Sequence, residues 1–130
     1  MICITQILSF YSYFWVLCIC RNASNTTAVG LSIGVSPGVN AKLIVKGENT
    51  FNSNGVDGIY TTLNSNSNLE INVESDATLK SCENGRDDIR GFFFAPATAT
   101  FLGTGYTCDP NKVVFVGDGT VVEPKCQACP

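Results

Sequence analysis

The sequence predicts an all-β solenoid, a chain wound into stacked coils, and three observations carry that prediction. Thr50-Phe51-Asn52-Ser53-Asn54-Gly55-Val56-Asp57-Gly58-Ile59 is followed by a degraded copy, Thr78-Leu79-Lys80-Ser81-Cys82-Glu83-Asn84-Gly85-Arg86-Asp87-Asp88-Ile89. Both pass from an apolar residue through a polar run into Asn-Gly, then an Asp and an Ile. Apolar residues recur at every second position, and no segment after residue 28 has the period of an amphipathic helix. Val45 recurs as Val73, 28 positions on, and Ile59 as Ile89, 30 positions on. Repeats of roughly 20–50 residues mark arrays in which each unit buries its apolar face only against a stacked neighbour.

Met1 to Cys20 carries no charged side chain and includes Ile2, Ile4, Ile7, Leu8, Phe10, Phe14, Trp15, Val16, Leu17 and Ile19. This apolar leader reads as a cleaved signal peptide, with an uncleaved membrane anchor and an ordinary buried strand as alternatives; its length lies between a signal core and the ~20 residues that span a bilayer. Asn22 to Ala28 is a small, polar spacer, so the chain divides into residues 1–28, leader plus spacer, and residues 29–130, the solenoid domain.

Within that domain Leu31, Ile33 and Val35 alternate with Ser32 and Gly34 as a half-buried strand, and Ser36-Pro37-Gly38 turns the chain. Leu43-Ile44-Val45 is the next strand. Gly47-Glu48-Asn49 breaks it, Thr50-Phe51 starts another, and Asn54-Gly55 turns towards Ile59-Tyr60. Asn64 to Asn68 is a surface loop. Leu69, Ile71 and Val73 then alternate with Glu70, Asn72 and Glu74, the clearest strand in the chain. Thr50-Phe51 recurs as Thr78-Leu79 and as Thr100-Phe101, which predicts Phe51, Leu79 and Phe101 in one stack. On that alignment the second copy gains two residues before Asn84, at Cys82 and Glu83. Near the end, Val113 to Val116 and Thr120 to Val122 flank Gly117-Asp118-Gly119, either a C-terminal hairpin closing the solenoid or one more corner of a coil.

The totals exclude several classes of function. A net charge of -3 and a pI near 4.7 provide no basic field for nucleic acid. The chain has no histidine, which removes Ser-His and Cys-His nucleophiles and imidazole zinc sites. Four cysteines lie outside the leader, Cys82, Cys108, Cys126 and Cys129, an even number that suits two disulfides in an oxidising compartment. Cys82–Cys108 across stacked coils, with the other two paired at the terminus, is one pairing of three, and zinc and free thiols are the alternatives. Asn22 and Asn25 head sequons where an exported chain accepts glycans.

Leu43 to Gly58 and Leu69 to Cys108, with their strand, Asn-Gly corner and Gly/Asp-Ile units, resemble coils of right-handed parallel β-helix proteins of the pectate-lyase-like class, particularly exported repeat proteins. The resemblance covers about half of the chain. It implies a short right-handed parallel β-helix in a secreted or cell-surface protein with a non-catalytic binding or structural role, its partner an extracellular polysaccharide or surface protein; membrane contact follows only if the leader stays attached. The alternative it implies is a remnant of a polysaccharide-cleaving enzyme. In the hydrolases of that class adjacent aspartates act as general acid and base, and in the lyases carboxylates hold calcium. Asp87-Asp88 is similar to such a pair, without the accompanying His and Lys motifs.

Read from its own residues, the cluster Glu83, Arg86, Asp87, Asp88 and Arg90 is a solvated corner in which Asp side chains cap the backbone and arginines screen them. Asp57, Asp87 and Asp88 could hold calcium only if their corners stack. Phe92-Phe93-Phe94 breaks the alternation, so at least one ring points outward while the others stack in the core, and Tyr60 and Tyr106 are candidates to join an exposed aromatic surface. No catalytic residue, metal ligand or cofactor is assigned.

Overall fold

The structure, a computed structural model, describes residues 5–10, 13–18 and 29–130. Its strands are β1 (Thr5–Phe10), β2 (Tyr13–Cys18), β3 (Leu31–Val35), β4 (Asn40–Val45), β5 (Glu48–Thr50), β6 (Asp57–Leu63), β7 (Asn68–Val73), β8 (Thr78–Ser81), β9 (Asp87–Phe93), β10 (Thr98–Leu102), β11 (Tyr106–Cys108), β12 (Val113–Gly117), β13 (Thr120–Val122) and β14 (Cys126–Gln127). The sole helix among the described residues is a 3-10 turn at Pro110–Lys112, capped by Asp109, whose carboxylate accepts from the Asn111 amide.

These strands form a β-solenoid of about three turns, as the alternation and the repeat predict. A first sheet runs in the order β1-β2-β4-β7-β10-β13, a second β14-β11-β8-β5 and a third β12-β9-β6-β3. Consecutive strands enter consecutive sheets, and each pairs in parallel with its counterpart one coil away. The apolar N-terminal stretch contributes two strands to the first sheet: β1 lies antiparallel to β2, and β2 parallel to β4. No helix of the described residues is long and apolar enough to cross a membrane.

Alternation fills the interior. Ala41, Leu69, Ala99 and Val121 form one inward column of the first sheet, and Leu43, Ile71 and Phe101 another. In the third sheet Leu31, Ile59, Ile89 and Val113 stack, as do Val35, Leu63 and Phe93. Gly91 stands between Thr61 and Phe115 in register, and the space above its bare Cα is taken by the Phe93 and Phe115 rings, which stack at 5.6 Å. Phe101 adds its ring 5.5 Å from Phe115 and 6.2 Å from Tyr106, so core aromatics gather in the third coil, where the earlier coils bury Phe51 and Phe93 among aliphatics.

Three sequence expectations are corrected. Phe51, Leu79 and Phe101 do not share a stack: Leu79 pairs with Asn49 and Tyr106 in the second sheet, whereas Phe101 pairs with Ile71 in the first. The true register sets Thr50 opposite Lys80, so the Asn-Gly corners of the first two coils match without an insertion. The two extra residues fall earlier, at Ser75 and Asp76, between β7 and β8. There a four-residue corner bonded from Ala77 N to Glu74 O replaces the two-residue turn at Gly47, whose φ is +69°. The third correction is the C-terminal hairpin. β12 pairs with β9 and β13 with β10, in different sheets, and Gly117-Asp118-Gly119 is a coil corner. Each strand completes its hydrogen bonds on the coil below, and Gly117, at φ +106°, has no room for a Cβ against the Phe93 carbonyl.

Tyr106 is buried in the interior rather than exposed. Its hydroxyl donates to the Leu102 carbonyl at 2.7 Å, with the Ile71 carbonyl at 3.3 Å. Burial raises its pKa above the ordinary 10.0. A raised folded-state pKa gives a contribution to stability that is whole below pH 10.0 and is lost as the pH climbs beyond it. Unfolding free energy should therefore fall above about pH 10. Tyr106→Phe should flatten that fall while costing about 1 kcal/mol at neutral pH, measured by urea unfolding across pH with tyrosinate absorbance as a second signal.

Candidate functional site

The chain turns from the second sheet to the third through the Asn-Gly corners, and here the polar residues of the repeat collect. Ser53 and Glu83 hold equivalent positions just before the asparagines and both adopt left-handed backbone, at φ 58° and 57°. That turn aims Asn54 and Asn84 inward, where both are buried. Oδ1 of Asn84 accepts from the Asn54 amide N at 3.0 Å and from its Nδ2 at 2.9 Å. Nδ2 of Asn84 donates to Oδ1 of Asp88 at 2.9 Å and to Oγ of Ser81 at 3.2 Å. The Ser81 hydroxyl lies 2.6 Å from the Asp88 carbonyl, and Oδ2 of Asp88 accepts from the Asp109 amide at 2.9 Å. Lys112 closes the corner from above, donating to the Asn84 carbonyl at 2.5 Å.

Asp57 and Asp87 stand in register one coil apart and belong to a second, more peripheral set. Arg86 forks onto Asp57, Nε to Oδ1 at 3.0 Å and NH2 to Oδ2 at 2.6 Å, while the Asp87 amide donates to the same Oδ1 at 3.2 Å. Arg90 donates to Oδ2 of Asp87 at 2.8 Å. The bond to Asp57 holds the Arg86 guanidinium above its ordinary pKa, against the partial desolvation of its position, with the Asp57 and Asp87 charges adding to it.

The acidic cluster is thus a buried corner rather than a solvated one. Asp57, Asp87 and Asp88 are 0%, 7% and 0% exposed, and the unfolded-chain cost of burying them is offset by charge-assisted bonds and backbone donors. Among the described residues no buried side-chain nitrogen or oxygen lacks a partner. Asp87 and Asp88 are engaged separately, one by Arg90 and the other by Asn84 and Asp109. Calcium on Asp57 and Asp87 would have to displace the guanidinium groups of Arg86 and Arg90, which already donate to their oxygens.

All four cysteines of the body are oxidised in pairs, but not in the pairing drawn from the sequence. Cys82 bonds Cys129 and Cys108 bonds Cys126, with Cα separations of 6.1 Å and 5.3 Å. Cys108 lies in register with Ser81, one position out of phase with Cys82, so its sulfur turns to the next coil instead. Cys82, Asp88 and Cys129 bring their donor atoms within 4.8 Å of one another, the one such group among the described residues, but two of the three ligands are consumed by the disulfide. Two disulfides suit an oxidising, extracellular setting. Asn22 and Asn25 lie outside the described residues.

The other candidate surface is the outer face of the third sheet. Because Ile59, Thr61 and Leu63 point inward, Tyr60 and Thr62 point out, in register with Arg90 and Phe92 and then with Val114 and Val116. Of the three consecutive phenylalanines, Phe93 is core, Phe92 is half-buried on this face, and Phe94 is 48% exposed at its edge, 5.0 Å edge-on from Phe92. The outer face of the first sheet is polar, with Asn68 donating to Asn40 at 2.6 Å and Lys42 paired with Glu70 at 3.0 Å. Inside, a gap lined by Leu31, Leu43, Val45, Asn49, Phe51 and Leu79 has no room for a water molecule. The chain matches no protein family model, no curated protein and no solved structure.

Asp88→Ala should leave one N–H of the Asn84 side-chain amide and the Asp109 N–H without the acceptors they have in the protein, Ser81 keeping the other Asn84 bond. A loss of about 2–4 kcal/mol is expected by denaturant unfolding, against less than ~1 kcal/mol for Glu83→Ala on the exposed side of the same corner.

Proposed function

We propose that this chain is a non-catalytic β-solenoid module of the cell surface or extracellular space, and that it binds an extended polymer, polysaccharide in first place, along the outer face of its third sheet. The observation that carries this reading is a pair of adjacent outward columns, Tyr60-Arg90-Val114 and Thr62-Phe92-Val116, with the exposed Phe94 at their edge. A parallel sheet spaces its rungs at ~4.8 Å, so ring faces and aliphatic groups succeed one another along a nearly flat strip suited to an extended ligand. Arg90 gives that strip a cation whose charge is already balanced by Asp87. The carboxylates of the corner support a binding role rather than acid–base chemistry, since their oxygens hold amides and arginines. The leader as a cleaved signal peptide, glycans on Asn22 and Asn25, and kinship with exported pectate-lyase-like repeat proteins belong to the same proposal.

The test is co-sedimentation with a panel of insoluble neutral and acidic polysaccharides. Tyr60→Ala combined with Phe92→Ala should weaken retention about tenfold or more while the thermal transition stays in place, the scale expected for losing aromatic stacking. Release of new reducing or unsaturated ends from any acidic polysaccharide, dependent on calcium and abolished by Asp87→Asn, would instead establish a cleaving enzyme and overturn the proposal. Equal retention of wild type and double variant would remove the third sheet as the binding face.

A further inference from the structure

We propose that residues 109–130 form a thiol-releasable cap on the solenoid, a segment that dithiol reductants detach from an otherwise folded body. Burial changes abruptly along the chain. Cys108 is 0% exposed, yet no residue from Asp109 onward is buried, and the inward-facing members of this segment, Val113, Phe115, Val121 and Cys126, are only partly covered. Its strands are short after β12: β13 offers three paired positions and β14 two. Little apolar area therefore holds the segment's far end in place.

Covalent bonds do so instead. Both disulfides of the body run between this segment and the coils beneath it, Cys126 to Cys108 and Cys129 to Cys82, and none joins two residues of the body proper. The sulfurs differ in access in the same sense. Cys82 and Cys108 are 2% and 0% exposed, whereas Cys126 and Cys129 are half-buried. A dithiol reductant attacks the sulfur of Cys126 or Cys129 as thiolate, forming a mixed disulfide and expelling the thiolate of Cys108 or Cys82. Its second thiol then displaces the capped cysteine and closes the reductant's own disulfide. Each bridge takes up two electrons and two protons to give two cysteine thiols, and the reductant is oxidised by the same amount.

Release has a defined consequence. Sγ of Cys129 lies 3.9 Å from Oδ2 of Asp88, and that oxygen accepts from the Asp109 amide, so lifting the segment opens the buried corner as well as the edges of β9, β10 and β11. Tyr106 and the Phe93–Phe101 cluster then face an unpaired strand edge, the kind of surface that takes up another strand.

Limited trypsin digestion of the full chain under native buffer reads the device directly. Lys112 and Lys125 report on the cap, and Lys80 and Arg90 on the body. After treatment with dithiothreitol and alkylation, cleavage at Lys112 or Lys125 should rise at least tenfold by mass spectrometry. Lys80 and Arg90 should stay protected, and the β signal in circular dichroism should persist. Cys126→Ser combined with Cys129→Ser should give the same pattern with no reductant present. Cap and body sites becoming cleavable together, in the reduced protein and in the double variant, would show one cooperative unit and overturn the proposal. So would continued protection of Lys112 and Lys125 once all four thiols are alkylated.

Discussion

Everything in this fold depends on one constraint, that each coil must present its hydrogen-bonding groups in register with the coil below at corners where the chain turns into the protein. A straight rung satisfies itself through parallel pairing. A corner does not, because its amides leave the ladder while still buried, and a buried unpaired N–H or C=O costs on the order of 1–3 kcal/mol. The Asn54–Asn84 contact answers that problem. Asn84 gives one acceptor to the coil beneath and its donors to Asp88 and Ser81, so a side chain continues the ladder where the backbone cannot. Replacement of this set in the third coil by Asp109, the 3-10 turn and Lys112 keeps the same groups satisfied with fewer residues.

The same constraint explains which parts of the repeat were legible. Asn54-Gly55-Val56-Asp57 and Asn84-Gly85-Arg86-Asp87 align because the bond between the corner amides, the close approach of Gly85 to the Gly55 carbonyl and the stacking of Asp57 on Asp87 demand particular residues at fixed offsets. Ile59 with Ile89 and Val45 with Val73 align because each fills the same inward position. Thr50-Phe51 against Thr78-Leu79 misleads, since Thr is an outward strand residue that any rung accepts, and an aliphatic or aromatic partner fits many interior columns. Corners thus carry the register, and rungs carry only the alternation.

What the sequence hid has a common physical origin. Burial of an acidic residue depends on partners supplied from other coils: Arg86 reaches back 29 positions to Asp57, and the Asp109 amide reaches 21 positions to Asp88. In sequence Asp87-Asp88 looks like surface charge, because nothing local announces those partners. Disulfide connectivity fails to show for the same reason. Whether Cys108 meets Cys82 or Cys126 turns on a one-residue phase between coils, which spacing alone does not fix when coil length changes from one coil to the next. Gly91 is a further case: its missing side chain reads as a weak strand, yet it makes the space that the Phe93 and Phe115 rings fill.

Coil length also changes along the molecule, from 28 residues between Ala41 and Leu69 to 30 between Leu69 and Ala99 and then 22 between Ala99 and Val121. The first two described coils bury aliphatic columns sealed by Asn, Ser and Asp corners, and every buried polar side-chain atom there is matched. The third gathers the rings of Phe101, Tyr106 and Phe115, and after Cys108 the inward residues are only partly covered. As hydrophobic burial falls, covalent attachment rises, and the two bridges sit where the ladder is shortest. A bridge chiefly restricts the unfolded chain, so it can hold a segment whose own contacts are too few to order it. The interior side chains are therefore committed to packing and to closing the corners, and only the outer faces are left unconstrained by the core. Among the described residues, outward rings gather on the third sheet at Tyr60 and Phe92, while the first sheet exposes the aliphatic Leu102 and Val122 on its last two rungs.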